Sequence, residues 1–128
     1  MIAADTSSLI AYFGGERAAD TDMIAGALEA LELALPPPVL VELIGGDREP
    51  GAYDQIALHA TLLPLKEGYW LRAREARRLI LSKGLPARAI DSLTAQCCLD
   101  ADVALITRDG DFRHFARCCG LKLALDAA

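Results

Sequence analysis

Ile2-Ala3-Ala4-Asp5-Thr6-Ser7-Ser8-Leu9-Ile10-Ala11-Tyr12-Phe13-Gly14-Gly15 opens with a short apolar run, ends it on an acid and passes directly into a helical segment. Residues 2–5 predict a buried strand. Residues 7–13 predict a helix capped by Thr6 or Ser7, whose hydroxyls can satisfy a first-turn N–H, and Gly14-Gly15 breaks it. The alternation continues down the chain. Residues 20–33 space Met23, Ile24, Ala27, Leu28 and Leu31 as a helix does, Leu33–Leu35 reads as a strand, and Pro36-Pro37-Pro38 stops it. Pro38 suits the opening of a helix through Val39 to Ile44, ended by Gly45-Gly46. A helix over 52–61, a strand over 62–65 and a helix over 69–82 follow, with Lys83-Gly84 as the stop. Pro86 opens the next helix, which runs to about Leu99. A strand over 103–107, a helix over 111–118 stopped by Gly120, and a strand over 121–125 complete the pattern. Strands alternating with helices predict a parallel sheet covered on both faces. The expected fold is α/β, a three-layer α/β/α sandwich around a short, mostly parallel five-stranded sheet.

The 128 residues are enough for one buried core, so a single domain over 1–128 is expected. Hydrophobic residues make up 53% even without the glycines, above the roughly 45–50% that soluble domains reach with them. That excludes intrinsic disorder and points to surface that something else covers. A net charge of −5 excludes a protein that holds nucleic acid by bulk charge. The apolar residues at the N-terminus have no basic region ahead of them, and no stretch approaches the ~18 apolar residues of a membrane span. A cytoplasmic location without membrane attachment is therefore expected. Cys97-Cys98 and Cys118-Cys119 lack C-x-x-C spacing, and His59 and His114 stand alone, so the thiols read as small hydrophobes rather than zinc ligands. A disulfide between the two pairs stays open.

Side chains that do chemistry in open parallel sheets gather beyond the carboxyl ends of the strands. Asp5 ends the first strand, Glu42 lies early in the helix after Leu33–Leu35, Asp91 lies near the start of the helix opened by Pro86, and Asp109 follows the strand over 103–107 by two residues. Asp111 adds a fifth carboxylate. Glu42 interrupts an apolar run and Asp91 sits between Ile90 and Leu93. A charge in such surroundings is costly unless it is paired or holds a metal. Arg88 and Arg108 are the nearest cations in sequence. An all-oxygen set suits Mg²⁺ or Mn²⁺ rather than Zn²⁺, and such a metal suits hydrolysis of phosphodiesters. The plainer reading has Asp5 and Asp109 capping turns while Glu42 and Asp91 pair with arginines.

Four segments in order resemble PIN-domain nucleases: Ala4-Asp5-Thr6-Ser7, Pro37-Pro38-Val39-Leu40-Val41-Glu42-Leu43, Ala87-Arg88-Ala89-Ile90-Asp91-Ser92-Leu93-Thr94-Ala95, and Leu105-Ile106-Thr107-Arg108-Asp109-Gly110-Asp111-Phe112. Length and order resemble in particular the VapC toxins of toxin–antitoxin pairs. The resemblance implies that Asp5, Glu42, Asp91 and Asp109 bind Mg²⁺ or Mn²⁺, with Asp111 auxiliary and Thr6 and Thr107 hydrogen-bonding within the site. It implies an endoribonuclease that hydrolyses RNA with metal-activated water, a homodimer, and inhibition by a cognate antitoxin bound nearby. The four principal acids account for four of the five net negative charges, so the acidity belongs largely to the site.

Arg88 and Arg108 flank the acids and are candidate phosphate contacts. Arg72, Arg74, Arg77, Arg78 and Lys83 share one helical segment, in which Arg74 and Arg78 fall on one face; they read as phosphate contacts or as a solvated face. Tyr69 and Trp70 read as base-stacking groups or as core. Apolar residues of 7–13 and 20–33 are candidates for the groove that an antitoxin helix fills. A haloacid-dehalogenase phosphatase would need an acid where Ser7 stands, and a response-regulator receiver would give Glu42 no task. A catalytically silent scaffold that engages only a protein partner is the rival reading.

Overall fold

The computed structural model of the chain describes residues 1–44 and 52–125. In chain order the elements are β1 (Ile2–Ala4), α1 (Thr6–Phe13), α2 (Ala19–Glu29), β2 (Leu33–Leu35), α3 (Pro37–Ile44), α4 (Ala52–His59), β3 (Thr61–Leu62), α5 (Tyr69–Ser82), α6 (Ala89–Ala101), β4 (Ala104–Ile106) and α7 (Phe112–Cys119). The strands form a parallel sheet in the order β3-β2-β1-β4. Ala3 pairs with Ala34 on one side and with Leu105 on the other, so the N-terminal strand is central.

Because successive strand residues point to opposite faces, Ala3 and Ala4 contribute to different cores. Ala3, Ala34 and Leu105 pack with Tyr69, Ile80, Ala95, Cys98, Phe112 and Phe115 under α5, α6 and α7. Ala4, Leu33, Leu35 and Ile106 pack with Leu9, Ile24, Val39, Leu43 and Ile56 under α1 to α4. Two helical layers thus enclose the sheet, as the sequence predicts.

Several boundaries differ. The fifth strand expected over 121–125 is reduced to a parallel bridge between Leu105 and Leu123, flanked by Leu105 N–H to Lys122 O and Ala124 N–H to Leu105 O, both at 2.9 Å. The third strand stops at Leu62, because Pro64 cannot donate to the ladder. The helix expected to reach Leu33 ends at Glu29, and Leu31 takes a positive φ of 56° to turn the chain into β2. Pro86 does not open α6. Arg88 is extended (φ −69°, ψ 148°) and the helix starts at Ala89, which makes Asp91 its third residue. α1 begins at Thr6 with Asp5 in the cap position, not Thr6 or Ser7. Gly120 ends α7 as expected, in the left-handed conformation (φ 80°) that glycine adopts without strain. Gly45-Gly46 lies outside the described residues. Among the described residues no helix is long and apolar enough to cross a membrane. All four thiols are free, and burial pushes those of Cys97 and Cys98 up.

Candidate metal centre

Asp5 continues the sheet by one bond, its N–H donating to Ile106 O at 2.9 Å. The ends of β1 and β4 therefore leave Asp5 and Thr107 side by side. Thr107 Oγ1 donates to Asp5 Oδ2 at 2.9 Å, and Ser7 Oγ donates to the same oxygen at 3.0 Å. Thr107 Oγ1 also accepts the Asp109 N–H at 3.0 Å, and Asp109 Oδ1 accepts the Asp111 N–H at 2.9 Å. One chain of hydrogen bonds thus runs from Asp5 through the loop that carries Asp109 and Asp111. Ser7, only 2 residues from Asp5, extends it by accepting the Arg108 N–H at 3.2 Å.

α6 supplies the third acid. Asp91, 4% exposed, lies in its first turn, where the helix dipole favours an anion. Asp91, Asp109 and Asp111 each offer an oxygen, all within 4.8 Å of one another. Arg88 bridges two of them, Nε donating to Asp91 Oδ2 at 3.2 Å and Nη2 to Asp109 Oδ2 at 3.1 Å. Burial pushes the Asp91 carboxyl up to about 6. Arg88 opposes the rise, and the charges of Asp109 and Asp5 add to it. Removing Arg88 as Arg88→Gln is therefore expected to move the Asp91 titration above 6, read from its carboxyl carbon by NMR in metal-free buffer; an unmoved titration would contradict the bridge.

Glu42 is placed differently. It was expected in apolar surroundings, but α3 buries Val39 and Leu43, one turn apart, and leaves Val41 (69% exposed) and Glu42 at the surface. Glu42 Oε1 accepts a bond from Thr6 Oγ1 at 2.8 Å, so it stands beside Asp5 through Thr6. Neither Glu42 nor Asp5 belongs to the three-acid group.

Arg108 turns away from the cluster. Its Nε and Nη2 donate to the two oxygens of Asp20, each at 2.8 Å, and Nη1 donates to Glu16 at 2.8 Å. Asp20, 6% exposed, also accepts from Ser8 Oγ at 2.8 Å and from the Thr21 N–H at 2.9 Å. The Arg108 guanidinium holds its carboxyl down to about 2. The sequence pattern singles out neither Asp20 nor Ser7 as a site residue. Ser7 had a local signal, a hydroxyl two residues after an acid at a strand end. Asp20 looks like any acid in a helix's first turn, and its partner is 88 residues away.

The donor set is all carboxylate, which suits a hard divalent cation, and the Asp91 carboxyl is raised first by burial and then by the neighbouring acids, as expected where an acid is held ready for a cation. The family model described as PIN domain matches residues 2–117. No curated protein matches the chain.

Proposed function

Because the chain belongs to the PIN domain family, whose members are generally metal-dependent nucleases, we propose that it is an Mg²⁺- or Mn²⁺-dependent endoribonuclease and the toxin of a toxin–antitoxin pair. The observation that carries the reading is the group of Asp91, Asp109 and Asp111 oxygens within 4.8 Å, built around a buried acid. Asp91, Asp109 and Asp111 would hold the cation, with Asp5 and Glu42 as further ligands from the adjoining strand end and helix. When bound, the cation supplies Lewis acidity at the phosphate and lowers the pKa of water. Thr107 and Ser7 fix the Asp5 carboxylate, and Thr6 fixes Glu42. Arg88, which here bonds Asp91 and Asp109, would be available to a substrate phosphate where a cation holds those acids. Arg108 reaches a phosphate only by giving up or sharing its bonds to Glu16 and Asp20.

A groove of about 440 Å³ lies between α1, α2 and α4, lined by Tyr12, Phe13, Leu28 and Ile56 among others. Its mostly apolar lining fits the antitoxin helix, and a homodimer would cover further apolar surface. Leu28→Lys is expected to abolish capture of the antitoxin while RNA cleavage persists, checked by co-purification and by a ribonuclease assay.

The decisive test incubates the chain with single-stranded RNA in Mg²⁺, Mn²⁺ or EDTA. Cleavage with either metal and none in EDTA is expected, and Asp109→Asn or Asp111→Asn should each reduce it by roughly 10- to 100-fold. Cleavage that persists in EDTA would overturn the metal-dependent reading, and no cleavage under any condition would leave the silent scaffold as the better one.

A further inference from the structure

Between α5 and α6 runs a groove of about 610 Å³, lined by Trp70, Arg74, Arg77 and Arg78 from α5 and by Ala89, Ser92 and Leu93 from α6, among others. We propose that this groove seats a nucleotide of single-stranded RNA beside the scissile phosphate, with its base on Trp70 and the neighbouring phosphates on Arg74 and Arg78. This inference rests on the nuclease reading and names the part of the substrate that the chain grips.

Position comes first. Ala89 and Ser92 directly follow Arg88 and Asp91, so the first turn of α6 supplies Asp91 to the acid cluster and also lines the groove. Arg77 ties the two elements at that point, Nε donating to Ala87 O at 2.8 Å. The groove and the acid cluster thus share one helical turn, Asp91 on the cluster side and Ser92 lining the groove.

Charge selects the class of occupant. In a chain of net charge −5, three arginines line this groove and no acid does among the described residues. The five cations of the α5 segment are divided in their work. Arg72 is clamped to Asp100 by two bonds at 3.0 and 2.7 Å, and Arg77 is held by Ala87. Arg74 and Arg78 are exposed, and the Arg78–Glu75 ion pair is long, at 3.9 Å. A second copy docked groove to groove would set these arginines against their own images. A polyanion satisfies them.

The aromatic selects a base. Tyr69 is buried at 1% exposure, its hydroxyl donating to Leu93 O at 2.6 Å. Its ring braces Trp70 edge to face, with centroids 5.1 Å apart and an interplanar angle of 76°. Trp70 itself is 64% exposed. A braced indole at the mouth of a cationic groove is a stacking platform for an unpaired base, and a duplex keeps its bases out of reach.

Trp70 is the only tryptophan, so its fluorescence reports the groove directly. The metal-free chain is titrated in EDTA with an eight-nucleotide oligouridylate, with an abasic ribose-phosphate chain of equal length, and with blunt duplex RNA. Oligouridylate should quench Trp70 and bind more tightly than the other two. Read by the anisotropy of a fluorescein-labelled oligouridylate, which needs no tryptophan, Trp70→Ala should weaken its binding roughly tenfold. The Arg74→Gln, Arg78→Gln double variant should flatten the dependence of log K on log salt by about 1.4. With metal, Trp70→Ala should raise KM while kcat holds. Equal quenching by the abasic chain, or unchanged affinity in both variants, would overturn the proposal. So would a dimer that Trp70→Ala splits in sedimentation with RNA affinity intact, which would assign the face to a second copy. If wild type cleaves RNA and these variants change nothing, the groove assignment alone fails. If wild type neither binds nor cleaves RNA, the nuclease reading fails with it.

Discussion

Asp91→Asn is expected to lower metal-dependent cleavage by roughly 100-fold or more and, in the same protein, to raise the melting temperature of the metal-free fold. The two effects have one cause. Asp91 is 4% exposed, and burial raises its carboxyl from 3.8 to about 6, so holding it ionised at neutral pH works against folding by roughly 3 kcal/mol. Asparagine removes that charge and gives up the Arg88 pairing, for a net gain of about 2 kcal/mol, or roughly 5–8 °C. Differential scanning calorimetry in EDTA reads it directly. Adding Mg²⁺ or Mn²⁺ should stabilise wild type and leave Asp91→Asn unchanged. A variant that melts lower than wild type in EDTA would show that Asp91 is held by its neighbours rather than strained by them.

The same group fixes a pH dependence. Between pH 6 and 4 the folded state binds a proton at Asp91 that the unfolded chain does not, so the metal-free protein gains stability as pH falls through this window. Asp20 has the opposite sign. Its carboxyl is held down to about 2, so its contribution is complete above about pH 4 and is lost as pH falls toward 2. Metal-free wild type should therefore be most stable near pH 4–5. In Asp91→Asn the gain between pH 6 and 4 should vanish.

Arg108→Gln is expected to destabilise the fold by about 2–3 kcal/mol, toward the low end for a buried pair because the guanidinium is itself 36% exposed. It strands Asp20, which keeps only the Ser8 hydroxyl and the Thr21 N–H. The loss should shrink as pH falls, since a protonated Asp20 no longer needs a cation. Adding Asp20→Asn should recover part of it, giving a coupling of about 1–3 kcal/mol in a double-mutant cycle. Thermal melts of the four proteins decide the matter. An Arg108→Gln protein that melts like wild type but binds RNA poorly would return Arg108 to the phosphate.

The sequence made the layering readable because the strands are short apolar runs between long helical ones, and residues 2–4, 33–35 and 104–106 all pair where the pattern puts them. It also brought Asp5, Asp91, Asp109 and Asp111 to one edge of the sheet. The surroundings of Glu42 are not legible, because five apolar neighbours say nothing about helical phase: Val39 and Leu43 take the buried face and Glu42 does not. Arg108 was read by its nearness in sequence to Asp109, but its bonds go to Asp20 and Glu16, which local spacing cannot reveal. The groove between α5 and α6 was half legible. Trp70 and Tyr69 are neighbours in sequence, and only tertiary packing decides that Tyr69 is core and Trp70 is surface.

The pairing of Ile2–Ala4 with Ala104–Ile106 also sets the order in which the site can form during folding. β1 must find β4, roughly 100 residues further on, and pairings of such sequence separation are slow to form. Asp5 lies at one end of that interval, with Asp109 and Asp111 at the other. The acid centre therefore assembles only once this long-range pairing has formed, and no local fragment of the chain carries it.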